Sequence, residues 1–67
     1  MEKETEILKQ LKLLRLQADI TESEMGEHIG LPGKVISAIE SGNRPIGLRT
    51  LILWAEKVGK KLTVDFV

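Results

Sequence analysis

The chain has 67 residues, 42% of them hydrophobic, so we expect one small domain that buries about 60% of the surface of the unfolded chain. Ten basic and ten acidic residues cancel, which excludes a polycation that coats nucleic acid, and the absence of cysteine excludes disulfides and thiolate metal sites. The longest apolar run, residues 51–55, is far shorter than the roughly 20 residues that span a bilayer, and the acidic start is unlike a signal peptide, so we expect a cytoplasmic protein without a membrane partner.

Charge is unevenly distributed along the chain. Residues 1–30 carry a net charge of −3, and residues 31–67 carry +3. This asymmetry favours one face for an anionic partner. An ordinary solvated surface is the alternative, which charge by itself leaves open.

An apolar stripe predicts a helix at the start of the chain. Its residues recur at intervals of four, three and four, as on one face of a helix: Ile7, Leu11, Leu14 and Ala18. We expect this helix to run from about Glu2 to Gln17.

The next segment carries a helix start. Thr21 and Glu24 have the spacing of a capping box, in which each side chain accepts a hydrogen bond from the backbone amide of the other residue. Ile20 and Met25 stand at the two ends of a hydrophobic staple. Gly30 favours the left-handed conformation that ends a helix. A short second helix is therefore predicted between Thr21 and Gly30.

Two further helices are predicted. Pro32 suits the first position of a helix, where no amide hydrogen bond is lost, so we expect a third helix over residues 32–41 that ends at Gly42. A fourth helix is expected over residues 48–58, with an apolar face made of Leu48, Leu51, Trp54, Ala55 and Val58.

The last six residues change from helical to strand periodicity. Leu62, Val64 and Phe66 alternate with polar residues, which predicts a β-strand. A single strand in a helical chain leaves its amides and carbonyls unpaired. We therefore expect the strand to pair with the same strand of a second copy, forming a homodimer.

The second and third helices, joined by a glycine-containing turn, form a helix-turn-helix. Residues 11–59 resemble the phage-repressor family of Cro and lambda-repressor-like proteins, also called the xenobiotic-response-element family. The matching positions are Leu11, Leu14, Arg15, Thr21, Met25, Gly26, Ile29, Gly30, Ile36, Ser37, Ile39, Glu40, Gly42, Leu48, Leu51, Ala55 and Gly59. The strand after the fourth helix is similar, more narrowly, to that of HipB-like antitoxins, which dimerise through such strands.

This resemblance implies a mainly α fold, a single four-helix lambda-repressor-like domain over residues 1–67 with its β-strand at about residues 62–67 paired across a dimer. It also implies an internal ion pair between Arg15 and Glu40, which would tie the first helix to the third. Two exposed charges that never meet are the alternative. A buried pair adds little net stability, but removing one partner costs about 3–5 kcal/mol.

The resemblance places the base-reading positions on the third helix and the phosphate contacts around it. The implied base-reading positions are Gly33, Lys34, Ser37 and Ala38, and the implied phosphate contacts are Asn43, Arg44 and the Gly33 backbone. Lys34 can donate to guanine O6 and N7; a solvated lysine or a sequence-independent phosphate contact is the alternative.

Glu22 departs from the family pattern. Family members usually have at this position a glutamine that donates to a DNA phosphate, whereas a carboxylate is repelled by phosphate. Glu22 is favourable to the helix dipole, by about 0.3–1 kcal/mol. The departure, together with zero net charge, predicts weakened DNA binding.

Three function classes follow. The first is a sequence-specific DNA-binding regulator of transcription, a repressor or antitoxin-type autoregulator that binds double-stranded DNA in the nucleoid. The second is a protein-interaction module that grips a toxin or other partner through Leu13, Leu16 or Leu53, with DNA binding weak or lost. The third is an enzyme, which we do not expect, because the sequence offers no paired acid and base, no phosphate-binding glycine loop and no metal-binding partner for the lone His28; we accordingly expect no cofactor.

Overall fold

A computed structural model describes residues 2–67, and within them the chain forms four helices. They are α1 (Glu2–Gln17), α2 (Glu22–Ile29), α3 (Gly33–Glu40) and α4 (Leu48–Lys57). Helix α2 packs against α3 and α4, and α1 packs against α3. None of the helices in residues 2–67 has the length and apolar character needed to cross a membrane.

The core lies where the four helices meet. Met25, Ile36 and Trp54 have no exposed surface, and Ile39 has 2%. The Trp54 indole Nε1 donates to the Leu11 carbonyl oxygen at 3.2 Å, which satisfies the one polar atom of this side chain and joins α4 to α1. The predicted place of Trp54 on the apolar face of the fourth helix is confirmed.

Local sequence signals set the limits of α2. The Thr21 hydroxyl accepts from the Glu24 amide at 3.0 Å, and the Glu24 carboxylate accepts from the Thr21 amide at 2.9 Å. The Thr21 backbone amide thereby holds the pKa of Glu24 below its usual value. Gly30 ends the helix in the left-handed region, at φ 92°. The predicted capping box and stop are both confirmed.

The α2–α3 turn requires a glycine at one helical position. A Cβ on Gly26 would overlap the Leu31 carbonyl oxygen, because the turn passes directly over this part of α2. The Gly26 carbonyl oxygen accepts from the amides of Gly30 and Leu31, at 2.6 and 2.9 Å. Gly26 thus allows the close approach that brings α3 back against α2.

The predicted face of α1 is correct only in part. Of its four residues Leu11 is buried and Leu14 is half-buried, whereas Ile7 is 41% exposed and Ala18 is exposed. The other buried residues of α1 are Leu8 and Arg15. The buried face is rotated from the expected stripe because it includes Arg15, whose partner lies 25 residues further along the chain. A stripe drawn through apolar residues omits such a position.

Two helix ends also differ from expectation. Pro32 is the N-cap of α3, with extended backbone at φ −61° and ψ 150°, and the helix begins at Gly33. A proline fixes its own φ but leaves its ψ free to be extended, so it can precede a helix as well as begin one. Helix α4 ends at Lys57, and Leu48 is 67% exposed because the first turn of α4 extends beyond the core.

The predicted strand is absent from the single chain. Residues 60–67 form no strand or helix, and no other strand occurs within residues 2–67. A strand is stabilised by hydrogen bonds to a neighbouring strand, and this chain supplies none. Leu62 is half-buried, whereas Val64 and Phe66 are exposed.

Candidate nucleic-acid interface

Helix α3 has a buried and an exposed face. Ile36 and Ile39 point into the core. On the other side Lys34 and Ser37 are exposed, and Ala38 is half-buried. Residues 34, 37 and 38 lie three and four apart and so share one face of the helix. The outer face therefore carries one cation among small side chains, which allows a flat surface to approach the backbone closely.

The starts of α2 and α3 lie side by side. A Cβ on Gly33 would be 3.2 Å from the Ser23 hydroxyl oxygen, so the first turns of the two helices are in contact. Both helix starts present backbone N–H groups and the positive end of a helix dipole, which favour anions such as phosphate. Ser23 was missed by the sequence analysis, because its position next to Gly33 depends on the fold of the turn. Its hydroxyl can donate a hydrogen bond at the point where the starts of α2 and α3 meet.

Glu22 also lies at the start of α2, but its carboxylate is negative and so repels phosphate, whereas the helix dipole attracts it. It is half-buried at the first position of α2. Its carboxylate is close enough to Arg15 to contribute to the raised pKa of that guanidinium, after the larger contribution of the hydrogen bond from Arg15 to Glu40.

Arg15 joins three parts of the domain. Its Nε and Nη2 donate to the two carboxylate oxygens of Glu40 at 2.6 and 3.1 Å, and Nη1 donates to the Ile20 carbonyl oxygen at 2.8 Å. The two charged side chains are only 6% and 4% exposed. Because Glu40 is the last residue of α3, this bidentate pair holds α3 against α1 and the α1–α2 turn.

The loop after α3 is held by hydrogen bonds at the end of the helix. The amide of Asn43 donates to the Ala38 carbonyl oxygen at 2.9 Å, and its side-chain Nδ2 donates to the Ser41 hydroxyl at 3.2 Å. Ser41 donates in turn to the Ala38 carbonyl oxygen at 3.1 Å. Asn43 therefore uses part of its donor capacity internally. Arg44, which is exposed, is the stronger candidate for a phosphate contact.

The remaining polar candidates give no second site. His28 on α2 lies 3.7 Å from the Glu56 carboxylate on α4, at the surface. Among residues 2–67 no group of three acidic, histidine or cysteine side chains is arranged to hold a metal ion.

Comparison with known proteins agrees with this arrangement. A helix-turn-helix family model matches residues 11–64, which is most of the chain. No curated protein and no solved structure matches the chain. The match begins in α1, covers α2 to α4 and extends into the last segment. The chain therefore belongs to the Cro and lambda-repressor-like helix-turn-helix family and is, in general terms, a DNA-binding regulator.

Proposed function

We propose that the protein is a sequence-specific, dimeric transcription regulator that places α3 in the major groove of DNA and represses its own promoter, as antitoxin-type autoregulators do. The observation that carries this proposal is the outer face of α3, where Lys34 and Ser37 are exposed while the opposite face is buried. A helix can read base edges in the major groove only if its base-reading side chains point away from the core of the protein.

Lys34 is the main base-reading residue in this proposal. It can donate to O6 and N7 of guanine, and Ser37 can donate to or accept from any base edge. Ala38 offers a methyl contact to thymine. Because Gly33 and Ala38 are small, the helix can come close to the groove floor. One lysine contact contributes about 1–3 kcal/mol of discrimination, so readout concentrates on a guanine in each half-site.

Phosphate contacts around α3 fix its register. Arg44, the Asn43 side chain and the backbone amide of Gly33 flank the outer face, with Ser23 next to Gly33. These contacts carry no sequence information but supply affinity that depends on salt. Because Glu22 lies at the start of α2 beside these contacts and the chain has no net charge, binding to random DNA is weak. Specificity therefore depends on the base contacts.

Dimerisation completes the proposal. Two copies of α3 related by a two-fold axis read a palindromic operator with half-sites about one helical turn apart. Residues 62–67 form the dimer contact through Leu62, Val64 and Phe66, and become strands when the second copy supplies the missing hydrogen bonds. Occupancy of the promoter by such a dimer is sufficient for repression.

The test begins with selection of a preferred duplex from a random pool. Lys34→Ala removes one base contact from each half-site, so it should weaken binding to that duplex about 30-fold or more and leave random DNA nearly unchanged. Arg44→Ala should weaken both and reduce the slope of log affinity against log salt by about two, one for each half-site. Lys9→Ala, an exposed lysine on α1, is the matched control and should change neither. Equal losses on both duplexes from Lys34→Ala and Arg44→Ala would remove Lys34 from base reading.

A protein-interaction module is the second candidate, favoured by one observation. Leu13 and Leu16 on α1 are 53% and 52% exposed, whereas Leu53 is half-buried and less available. Two leucines three residues apart form an apolar patch suited to a toxin or other protein partner. Two measurements separate the two functions. An interaction module would fail to retard any duplex at low salt but would co-purify with one polypeptide. The Leu13→Ser variant would then lose that polypeptide.

A further inference from the structure

A groove separates α1 from α4. The two helices are joined by the hydrogen bond from Trp54 to the Leu11 carbonyl oxygen, but their backbones do not pack closely along their length. The segment of residues 60–65 lines the groove as a third wall. The volume between these walls is about 730 Å³, within the roughly 300–1,000 Å³ of small-molecule sites. This α1–α4 groove is therefore of the size of a ligand site, and a single chain supplies all its walls.

The predicted apolar faces of α1 and α4 meet in this groove. Ile7 and Leu14 line it from α1, and Leu51 and Val58 line it from the side of α4. Ile7 is 41% exposed and the other three are half-buried, so both apolar faces are partly open to water. Trp54, which has no exposed surface, forms part of the floor, so the groove reaches down to the core. Walls of this kind favour a ligand with an apolar chain.

The charged residues of the groove have a positive balance. Three lysines line it, Lys3 near the start of α1 and Lys60 and Lys61 after α4, and one acid, Asp65, lines it as well. All four residues are exposed, which places their charges at the rim and not on the floor. Three lysines less one aspartate leave a net charge of +2 on the lining. The rim therefore favours an anionic group, while the walls favour an apolar one.

We propose that the α1–α4 groove binds a small amphipathic carboxylate, of the class of medium-chain fatty acids. The alkyl chain of this ligand lies above Trp54, between Ile7 and Val58, and its carboxylate pairs with Lys60 or Lys61 at the rim. No residue of α3 lines the groove, so the site is separate from the face that is proposed to read DNA. The inference goes beyond the proposed function and does not depend on it.

Charge favours an anionic ligand over a second copy of the chain in this groove. In a two-fold contact the same surface of each copy meets itself, so the lysines of one rim would face those of the other. Like charges that face each other oppose association. The chain's own last segment is a wall of the groove, which residues 62–65 line without closing it. Strand pairing in the proposed dimer runs along the backbone edge of that segment, so it does not require a second copy inside the groove.

Titration of the full chain with sodium decanoate, below its micelle concentration, tests the proposal. Trp54 is the single tryptophan of the chain and lies on the floor of the groove, so its emission reports binding. Equilibrium dialysis counts the bound molecules, and we expect saturation at one decanoate per chain. Octanoate, which is two methylenes shorter, should bind about tenfold more weakly. Decanol, which has the same chain but no charge, should bind about threefold more weakly.

Two sets of variants locate the bound molecule. Ile7→Ser removes an apolar side chain of the groove and should weaken decanoate binding about fivefold or more. Leu13→Ser removes a leucine of similar exposure outside the groove and should have no effect. Replacing Lys60 and Lys61 together with alanine should weaken decanoate binding about threefold and leave decanol binding unchanged. Lys12→Ala, an exposed lysine outside the groove, should change neither.

Several results would overturn the proposal. No decanoate bound in dialysis would refute the site. Binding that neither Ile7→Ser nor the lysine replacement weakens would place the molecule elsewhere on the protein. Equal affinities for decanoate and decanol would remove the carboxylate from the ligand class. A wild type that binds no decanoate but whose dimer is weakened by Ile7→Ser in sedimentation would assign the groove to a second copy.

Discussion

The Arg15–Glu40 pair allows the strongest quantitative prediction. Replacing Arg15 with methionine keeps an apolar stem in the core and removes three donated hydrogen bonds. The Glu40 side chain is only 4% exposed, so its carboxylate is left without solvent or a counter-charge. Stranding a buried charge costs about 3–5 kcal/mol. A domain of this length has a total stability of roughly 3–10 kcal/mol, so much of it would be lost.

A double-mutant cycle in urea measures the interaction itself. Glu40→Gln is expected to destabilise as well, because it leaves the buried Arg15 guanidinium without a counter-charge, although the amide oxygen still accepts one hydrogen bond from Arg15. The double variant should be more stable than the sum of the single losses predicts, by about 2 kcal/mol. Lys12→Met, an exposed basic residue on α1, is the control and should stay within about 0.5 kcal/mol of wild type. Losses that add within about 0.5 kcal/mol would refute the argument, because independent sites behave in that way.

Two further predictions concern the turn and its neighbouring carboxylate. Gly26→Ala should destabilise by about 1–3 kcal/mol or more, because its Cβ would overlap the Leu31 carbonyl oxygen. Gly47→Ala, with open space and φ −83°, should cost no more than about 1 kcal/mol in the same denaturation, which is the effect of alanine at the N-cap of α4. Similar losses for the two variants would argue against the close approach. Glu22→Gln should strengthen DNA binding at low salt, with a benefit that shrinks at high salt, and should slightly lower stability because Arg15 loses a favourable charge. Unchanged or weaker binding at low salt would show that the start of α2 does not meet the DNA backbone.

The local features of the helices were readable from short stretches of sequence. The capping box of Thr21 and Glu24 and the left-handed stop at Gly30 involve residues within a few positions of one another. The physical forces concerned, a hydrogen bond to a nearby amide and the freedom of a glycine, act over the same short distance. For the same reason the order of the four helices and the outward position of Lys34 on α3 could be predicted without coordinates.

Other features depend on how the helices meet. The rotation of α1 follows from the contact of Arg15 with Glu40, and the pairing of Ser23 with Gly33 follows from the turn over Gly26. The exposure of Leu48 and the lack of a strand at residues 62–67 likewise depend on which surfaces the folded chain covers. Periodicity identifies an apolar face but contains no information about the partner of a buried charge or of an unpaired strand, because those partners are brought close only by folding or by a second copy.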